Sequence, residues 1–420
     1  MLKKTLPFII LLIITHAYAG ENWPRWRGPR NDGTSMETNL PAQWSAMQNI
    51  KWRVVLPGPA PSTPIIWNDR IFLSSTEGNN LVFLCLDTSG KILWKQTLAP
   101  GNYDVRGDES NAASPSPATD GQYVWVKFGT GLLACLDFAG KTVWQVDLQE
   151  RYQKFSMYFG MSSSPLLEGD RLYLQLLHTD AQLVLALDKT TGKEIWKHER
   201  ASDASMESLH SYASPFLYRF DGQEFLLVHG ADFITAHDLK DGRELWRSGG
   251  LNSDLVYNPF YRFVASPVAS AGLIVAPSAK NGPVLGINPT GAKGDIANNK
   301  AQFHWQLNEN TPDVPSPLIH DGLVYLCREN GVLLCVDAKT GAQYYMERTH
   351  NMRHRASPVY ADGKIYLLAA DGTATVVKAG KKFEVLATNT IPERASASLA
   401  IASGVIYLRT FKALYAIAKE

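Results

Sequence analysis

The chain has 420 residues, of which 45% are hydrophobic and 19% charged, so it can bury a large core and is neither disordered nor fibrous. Its 41 Lys and Arg residues balance 40 Asp and Glu residues, which excludes a general electrostatic attraction to nucleic acid or to anionic membranes. With 32 Gly, 23 Pro, 17 Tyr and 11 Trp residues, the composition favours short strands and turns over long helices.

Residues 1–19 have the pattern of a secretory signal peptide. Lys3 and Lys4 precede an apolar run over residues 6–14, and the small residues Ala17 and Ala19 follow it. The run is too short to cross the roughly 30 Å of a bilayer core as a helix. We therefore expect the mature protein to be periplasmic or secreted, without a membrane anchor.

A phrase of about fifty residues recurs along the rest of the chain. Each copy opens with Ser-Pro and an apolar strand, turns at Gly into a second strand, continues into a third strand that ends in Asp, and closes with Thr-Gly-Lys and a Trp strand. The third copy contains every part, at residues 164–167, 171–174, 185–188 and 191–196. Four short strands per copy are typical of a propeller blade.

The number of copies follows from the opening and closing positions. The opening position occurs at Thr63, Ser116, Ser164, Ser214, Ser266, Ser316, Ser357 and Ser398. The closing aromatic occurs at Trp94, Trp144, Trp196, Trp246, Trp305 and Tyr345, with Leu386 as a weak seventh. The eighth copy therefore lacks an outer strand, and Trp52, which belongs to no copy, can supply it.

These observations predict an all-β fold, an eight-bladed β-propeller of four-stranded blades whose ring is closed by an N-terminal strand. The predicted propeller is a single domain over residues 44–420, after an extension of residues 20–43. A linear solenoid is the alternative, but it would need capping repeats at both ends rather than two complementary half-units.

The four cysteines are predicted to be small buried residues rather than ligands. Cys85, Cys135 and Cys335 each stand two residues before an Asp, where other copies have Ala. A bridge between Cys327 and Cys335 stays open at this point. Paired Cys-x-x-Cys spacing is absent, so no metal site is predicted.

The phrase from Ala186 to Trp196, with copies around Asp87 and Asp137, resembles the repeat of pyrroloquinoline-quinone (PQQ) enzymes. The resemblance spans residues 44–420 and implies a PQQ-like β-propeller, a fold shared by quinoprotein dehydrogenases and by non-catalytic propellers of outer-membrane assembly. The segment 23–29 is similar to the leader of secreted bacterial PQQ-like propellers. The repeated Asp, Gly-Lys and Trp residues are expected to hold the ring together rather than to form a site.

The resemblance also implies what a PQQ site would need. Quinoprotein dehydrogenases use adjacent cysteines, a Trp beneath the quinone and calcium held by Glu, Asn and Asp, and this chain has neither a Cys-Cys pair nor a Cys-x-x-Cys-His haem segment. Glu109, Asn111 and Asp313 are the residues that could bind calcium through oxygen atoms. No cofactor is predicted; a PQQ-dependent dehydrogenase of alcohols or sugars, with PQQ and calcium, is the alternative.

A site is expected on the face that carries the loops between blades. Four consecutive inter-blade loops, after Trp94, Trp144, Trp196 and Trp246, are roughly twice as long as the others. Residues just before each opening Ser-Pro are expected to point into a central funnel. That inner ring consists of Asn111, Tyr158, His210, Tyr212, Arg262, Asp313, Arg355 and Arg394.

Arginines from consecutive blades are expected to converge on the funnel mouth, where their planar donors would bind carboxylate, phosphate or sulfate. They are Arg262, Arg328, Arg353, Arg355, Arg394 and Arg409. Pairing of these arginines with nearby acidic residues is the alternative interpretation. The ligand-binding candidates are Glu109, Asn111, Tyr158, Glu207, Arg262, Arg328, Arg353, His354, Arg355 and Arg394, with Arg106, Asp254 and Lys280 on the same face.

The leading hypothesis is an exported, monomeric propeller that binds an anionic small molecule, an acidic carbohydrate or an envelope protein through this funnel. Two enzymatic functions are alternatives to this hypothesis. One is the PQQ-dependent oxidation described above, and the other is a lyase or hydrolase acting on an acidic carbohydrate. In that case His210, Tyr212 and His178 are the catalytic candidates, with an arginine neutralising the substrate carboxylate.

Overall fold

The structure is a computed structural model that describes residues 20–46, 48–105, 109–252, 256–279 and 281–419. The predicted signal peptide and the candidates Arg106, Asp254 and Lys280 lie outside the described residues. Within them, eight antiparallel sheets of four strands follow one another, and one sheet gains a short fifth strand. The predicted eight-bladed propeller is therefore confirmed.

The first four blades cover residues 65–248 and contain most of the lengthened loops. Blade 1 consists of β2 (Ile65–Trp67), β3 (Arg70–Glu77), β4 (Asn80–Asp87) and β5 (Ile92–Pro100). A small hairpin of β6 (Asp104–Val105) and β7 (Ser110–Asn111) follows it. Blade 2 consists of β8 (Ala118–Thr119), β9 (Tyr123–Lys127), β10 (Leu132–Asp137) and β11 (Thr142–Asp147), followed by helix α1 (Leu148–Arg151). Blade 3 consists of β12 (Leu166–Glu168), β13 (Arg171–His178), β14 (Ala181–Asp188) and β15 (Glu194–Glu199), followed by a 3₁₀ turn at Met206–Leu209. Blade 4 consists of β16 (Phe216–Phe220), β17 (Gln223–Gly230), β18 (Phe233–His237) and β19 (Glu244–Ser248).

The other four blades complete the ring. Blade 5 consists of β20 (Val268–Ser270), β21 (Leu273–Pro277), β22 (Val284–Ile287) and β24 (Phe303–Leu307), with a 3₁₀ turn at Lys300–Gln302, and its β23 (Gly294–Asp295) joins blade 4. Blade 6 consists of β25 (Leu318–His320), β26 (Leu323–Cys327), β27 (Val332–Asp337) and β28 (Gln343–Arg348). Blade 7 consists of β29 (Val359–Ala361), β30 (Lys364–Leu368), β31 (Thr373–Lys378) and β32 (Val385–Thr390). Blade 8 consists of β33 (Ala400–Ala402), β34 (Val405–Arg409), β35 (Ala413–Ile417) and β1 (Ile50–Val55).

The ring closes where the sequence predicts. Strand β1 pairs antiparallel with β35 and so forms the outer strand of blade 8, with Trp52 opposite Ala416. The indole of Trp52 then donates to the carbonyl of Thr88 in blade 1, at 2.9 Å. The sheet edge that blade 8 would otherwise expose is covered.

Neighbouring blades are joined at the axis by one repeated hydrogen bond. The backbone N–H of each opening residue donates to the side-chain hydroxyl of the opening residue in the next blade, from Thr63 to Ser116 at 2.9 Å through to Ser357 and Ser398 at 3.0 Å. Thr63 closes the circle by donating its hydroxyl to the carbonyl of Ser398, at 3.2 Å. These eight positions, Thr63, Ser116, Ser164, Ser214, Ser266, Ser316, Ser357 and Ser398, are called the ring residues below.

At the outer side of the blades, the repeated Trp and Gly depend on each other. Trp94 donates to the carbonyl of Phe138 in the next blade at 2.9 Å, and its ring lies against Gly140, where an added Cβ would come within 2.8 Å of it. Gly140 also has a φ of +87°, which side-chain-bearing residues rarely adopt. The glycine is thus required both by its own turn and by the tryptophan of the preceding blade.

The second strand of several blades carries a buried polar side chain that pairs with the segment entering the next blade. Lys127 donates to the carbonyl of Ser163 at 3.0 Å, Ser74 donates to that of Pro115 at 3.3 Å, and Arg409 donates to that of Ser62 at 3.1 Å. Each acceptor immediately precedes a ring residue. Arg409 is therefore buried between blades 8 and 1, which corrects its predicted place at the funnel mouth.

All four cysteines lie among the described residues, and they are free and buried. Cys327 stands opposite Leu333 and Cys335 stands opposite Tyr325 in the same ladder, so the two are not cross-strand neighbours. Burial raises the pKa of the Cys327 thiol to about 12. The cysteines serve as small core residues, as their Ala-like positions indicate.

We expect Ser214→Ala to destabilise the protein by about 1–3 kcal/mol, because the buried N–H of Ser164 loses its acceptor. The measurement is chemical denaturation followed by circular dichroism. Ser89→Ala, which removes an exposed turn hydroxyl, is the control. Equal stability of the two variants would contradict a structural role for the ring.

Lys127 should make stability depend on pH. Burial lowers the pKa of its amine from 10.5 to about 7, so above pH 7 the unfolded chain binds more protons than the folded chain and the free energy of unfolding rises with pH. We expect a rise of about 1–2 kcal/mol between pH 7 and 8.5, and its loss in Lys127→Met. Lys95→Met, at an exposed ion pair, is the control. An unchanged pH slope in Lys127→Met would refute this assignment.

Candidate functional site

A channel runs along the propeller axis and opens at the face of the inter-blade loops. The empty space in and above it amounts to about 990 Å³, a figure that includes open solvent at the mouth. All the ring residues except Ser266 line it. A second layer stands two residues before each ring residue, because side chains two apart in an extended chain point the same way. This second layer consists of Pro61, Ser114, Ser162, Tyr212, Val264, Val314, Arg355 and Ser396.

The opposite end of the channel is closed by the N-terminal extension. Trp26 forms its floor, and the extension contacts the hairpins between first and second strands, which lie at the end of the blades away from the inter-blade loops. Trp23 pairs with Ile66 of blade 1, and Gly33 accepts the N–H of Tyr360 in blade 7 at 2.9 Å. Glu37 accepts the N–H of Gly404 in blade 8 at 2.7 Å.

Arg27 fixes the floor to the axis. Its guanidinium donates to the carbonyls of Pro358 at 2.8 Å and Pro317 at 2.5 Å, which belong to the Ser-Pro openings of blades 7 and 6. A third bond goes to the carbonyl of Asp32, at 2.8 Å. Burial lowers the pKa of Arg27 to about 10. Because the side chain satisfies three carbonyls, the extension is an integral part of the channel.

Charged residues form a continuous network on one side of the mouth. Arg355 donates to Glu109 at 2.7 Å and lies 3.1 Å from Glu329, while Arg353 pairs with the same two carboxylates. Burial raises the pKa of Glu329, and Asp313 adds to the rise although Arg355 and Arg353 oppose it. The arginines of the mouth are thus matched by acidic residues.

Arg262 extends this network toward blades 4 and 5. It lies 3.3 Å from Asp313 and 3.6 Å from Glu207, and its guanidinium is stacked 5.4 Å above the ring of Phe159. The candidates Glu109, Glu207, Arg262, Arg353 and Arg355 are therefore brought together. Among the described residues of this network, three arginines face four carboxylates, so the network itself carries no excess of positive charge.

Only one of the three catalytic candidates lines the channel. Tyr212 lines the channel, and its hydroxyl accepts the N–H of Phe159 at 3.3 Å. His210 and His178 are buried together beside the channel rather than in its lining, and Thr179 contacts Nε2 of His210 at 3.0 Å. Burial, with the neighbouring His178, lowers the pKa of His210 to about 4.

The remaining candidates lie around the channel rather than in its wall. Asn111 donates to the carbonyl of Pro59 at 2.7 Å, and Arg328 donates to Asn310 at 3.1 Å. His354 is buried, which lowers its pKa to about 4. Arg394 is exposed, and Tyr158, 60% exposed, stacks edge-on against His210. Five expected places in the wall are therefore corrected, those of Asn111, Tyr158, His210, Asp313 and Arg394.

The calcium candidates do not fit a calcium-bound quinone. Both oxygens of Glu109 face arginines, and Asn111 uses its Nδ2 on Pro59 and its Oδ1 on the N–H of Ala113. Among the described residues, no group of three or more His, Cys, Asp and Glu side chains is placed to hold a metal ion. The cysteines are buried in the blades and contribute nothing to the channel wall.

Two features of the site were missed by sequence reasoning. Trp26 and Arg27 were treated as part of a leader, and no repeat signal links them to the blades that they contact. The second layer could have been found, because counting back two residues from each ring residue gives all eight of its members. The residues of the predicted inner ring lie at different distances before the ring residues, and only Tyr212, Arg262 and Arg355 of the eight line the channel.

Fold and site define the class as an eight-bladed β-propeller with a central channel closed at one end. A family model described as outer membrane protein assembly factor BamB matches residues 78–344 and 280–417. The chain therefore belongs to this family of PQQ-like β-propellers. No curated protein sequence matches the chain.

Several solved structures are similar. BamB from Moraxella catarrhalis has a TM-score of 0.63 at 15% identity, covering 89% of this chain and 98% of that one. Quinohemoprotein alcohol dehydrogenase from Comamonas testosteroni has a TM-score of 0.68 at 13% identity, covering 95% and 81%. The computationally designed Ika8 protein has a TM-score of 0.61 at 12% identity, covering 88% and 99%. At these identities the likeness concerns the fold alone.

The described residues contain no helix that is long and apolar enough to cross a membrane.

We expect Arg27→Ala to loosen the extension, because Pro317 and Pro358 lose a charged donor, a contact worth about 1.5–3 kcal/mol. Limited proteolysis with mass spectrometry should then show faster cleavage within residues 20–43. Arg30→Ala, which breaks a more exposed pair with Glu21, is the control. Equal cleavage of both variants would contradict the anchoring role of Arg27.

Proposed function

We propose that the protein is an exported binding protein that takes a small acidic carbohydrate into its central channel from the loop face, without PQQ. The observation that carries the proposal is a channel closed by Trp26 and lined by hydroxyl groups around a buried guanidinium. A closed, partly apolar cavity with few fixed polar groups is typical of small-molecule sites.

The ring residues favour a ligand rich in oxygen. Each ring serine uses its hydroxyl oxygen to accept a backbone N–H, as Ser214 does from Ser164 at 2.9 Å. A hydroxyl can also donate its proton, and among the described residues the ring serines donate to no protein acceptor. A ring of such donors complements the hydroxyl and carboxylate oxygens of a sugar acid.

Aromatic side chains provide the apolar part of the site. Trp26, Phe159 and Tyr212 line the channel together with Val264 and Val314. The C–H faces of a sugar ring can pack on such surfaces while its hydroxyls reach the serines. The mixture of aromatic faces and hydroxyl groups favours a carbohydrate over a simple inorganic anion.

Arg355 is the group proposed to select an acidic ligand. Its side chain is only 9% exposed, it lines the channel, and its buried Nε has no acceptor among the described residues. An unsatisfied buried donor costs free energy that a ligand oxygen would recover. Because the described arginines of the network are matched by carboxylates, selection would come from this directed contact rather than from long-range attraction.

An enzymatic step has less support. His210 and His178 lie outside the channel wall, and burial lowers both pKa values, so neither is placed to abstract a proton from a ligand in the channel. The donor set does not fit a calcium-bound quinone, as described above. We therefore propose binding without PQQ-dependent oxidation and without lyase chemistry.

A protein partner is the second candidate, and exposed apolar residues in the lengthened loops favour it. Met206 is 49% exposed and Phe260 is 47% exposed, and their loops are joined because Ser208 donates its N–H to the carbonyl of Pro259 at 3.0 Å. Apolar side chains on a raised rim are frequent at protein interfaces. An envelope protein bound there would agree with the description of the family as an assembly factor.

Export is proposed from the leader of the sequence. Lys3, Lys4 and the apolar run that follows have the order of a signal peptide, and the small residues Ala17 and Ala19 suit cleavage before Gly20. The periplasm or the medium would then be the compartment in which the channel meets its ligand.

The test is isothermal titration calorimetry of the purified protein with galacturonate and with galactose, which differ only in the acidic group. We expect saturable binding of galacturonate in the wild type and at least tenfold weaker binding in Arg355→Met, the size of one lost charged hydrogen bond. The exposed Lys95→Met should bind like the wild type.

Two outcomes would overturn the proposal. One is the absence of binding to both sugars at millimolar concentration by protein that unfolds cooperatively. The other is binding that does not change in Arg355→Met, since the ligand would then lie outside the channel. Met206→Ser distinguishes the second candidate, because it should weaken capture of an envelope protein but leave galacturonate binding unchanged.

A further inference from the structure

Glu109 reaches across the mouth of the channel. It comes from the hairpin between blades 1 and 2, yet its carboxylate binds Arg353 and Arg355 in the loop between blades 6 and 7. Its backbone carbonyl accepts the hydroxyl of Ser396 at 3.1 Å, which holds the segment over the entrance to blade 8. Among the described residues of its hairpin, Glu109 alone places a carboxylate between Arg353 and Arg355, which are called the arginine pair below.

The contacts of Glu109 have the geometry of a bound carboxylate ligand. One oxygen accepts from Nη1 of Arg353 and the other accepts from Nη2 of Arg355, at 2.7 Å for the second bond. Two guanidiniums that share one carboxylate are a common way to recognise an acid. Glu109 and Arg355 both line the channel, so a ligand in the channel can reach the same place.

The arginine pair is not fully satisfied by Glu109. Among the described residues the Nε of Arg355 has no acceptor, and only 9% of the side chain is exposed. A carboxylate that approached Arg355 side-on would bond Nε and one Nη together. The site is therefore built for a carboxylate that Glu109 fills only in part.

Charge balance permits an exchange. Arg353 and Arg355 face Glu109 and Glu329, two charges of each sign. Removal of the Glu109 carboxylate would leave two arginines with one glutamate, and a ligand carboxylate would restore the balance. The bound states before and after the exchange therefore carry the same charge around the two arginines, because one carboxylate replaces another.

We propose that Glu109 is an internal surrogate for the carboxylate of the ligand, and that an acidic ligand binds by displacing Glu109 from Arg353 and Arg355. The inference rests on the proposed function and adds how that site distinguishes acids from neutral sugars. A neutral sugar cannot replace the carboxylate, so it meets an occupied subsite. An acid competes with Glu109, which lowers its apparent affinity.

The experiment compares the wild type with Glu109→Gln, using calorimetric titrations with galacturonate and galactose. The amide keeps the size of the side chain but removes the competing charge, so galacturonate should bind about tenfold more tightly, while galactose should change by less than about twofold. Glu77→Gln removes an exposed carboxylate of blade 1 from its pair with Lys95 and is the matched control. It should alter neither affinity.

Folding is checked by thermal unfolding of each variant. Glu109→Asp provides a second variant, because it retains the charge but is one methylene too short to keep both arginine bonds. It should tighten galacturonate binding by less than Glu109→Gln does.

The outcomes separate the two proposals. If the wild type binds galacturonate and Glu109→Gln binds it equally or more weakly, the surrogate role is overturned and the proposed function stands. If both sugars gain affinity equally in Glu109→Gln, Glu109 blocks the channel sterically and the surrogate role is again overturned. If no variant binds either sugar, the proposed function fails and the surrogate role fails with it.

Discussion

The hydrogen bond between adjacent ring residues determines how the rest of the molecule is arranged. In seven of the eight blades the hydroxyl of the opening residue accepts the backbone N–H of the preceding blade, at 2.8–3.0 Å, and Thr63 closes the circle by donating its hydroxyl to Ser398. A buried N–H without an acceptor is costly, so the blades must approach closely at this level. The same contact sets how closely the blades meet around the channel, whose wall includes seven of the ring residues.

A ring of blades by itself leaves an open axis, and the extension converts that axis into a cavity. Arg27 is held there because its guanidinium donates to the proline carbonyls of two Ser-Pro openings. Burying a guanidinium is unfavourable unless its hydrogen bonds are made, which explains why three carbonyls surround it. The floor at Trp26 therefore depends on the same openings that join the blades.

The blade count could be predicted because it depends on residues that recur at a regular spacing. The closure by Trp52 could be predicted because the last copy lacks an outer strand and the strand of Trp52 belongs to no copy. The floor could not, since Arg27 bonds to carbonyls 290 and 331 residues away and carbonyls leave no trace in side-chain patterns. The mouth was predicted as a set of converging arginines, with pairing to nearby acidic residues as the alternative, but the partner of each arginine could not be named. Their pairing with Glu109 joins positions 244 and 246 residues apart, outside any repeat.

In the extended segment that enters each blade, the ring residue joins the blades, and the second-layer residue two positions earlier is the one proposed to contact the ligand. Ring residues are Ser or Thr and make the repeated contact between blades, whereas the second layer, two residues earlier, does not share that repeated contact and varies from Pro61 to Tyr212 and Arg355. A designed protein and an alcohol dehydrogenase share the architecture, so the fold does not decide what is bound. Among the eight described residues of the second layer, Arg355 alone is charged, and it is also the one that Glu109 crosses the mouth to reach. Selectivity should therefore change by substitution in the second layer without loss of the ring.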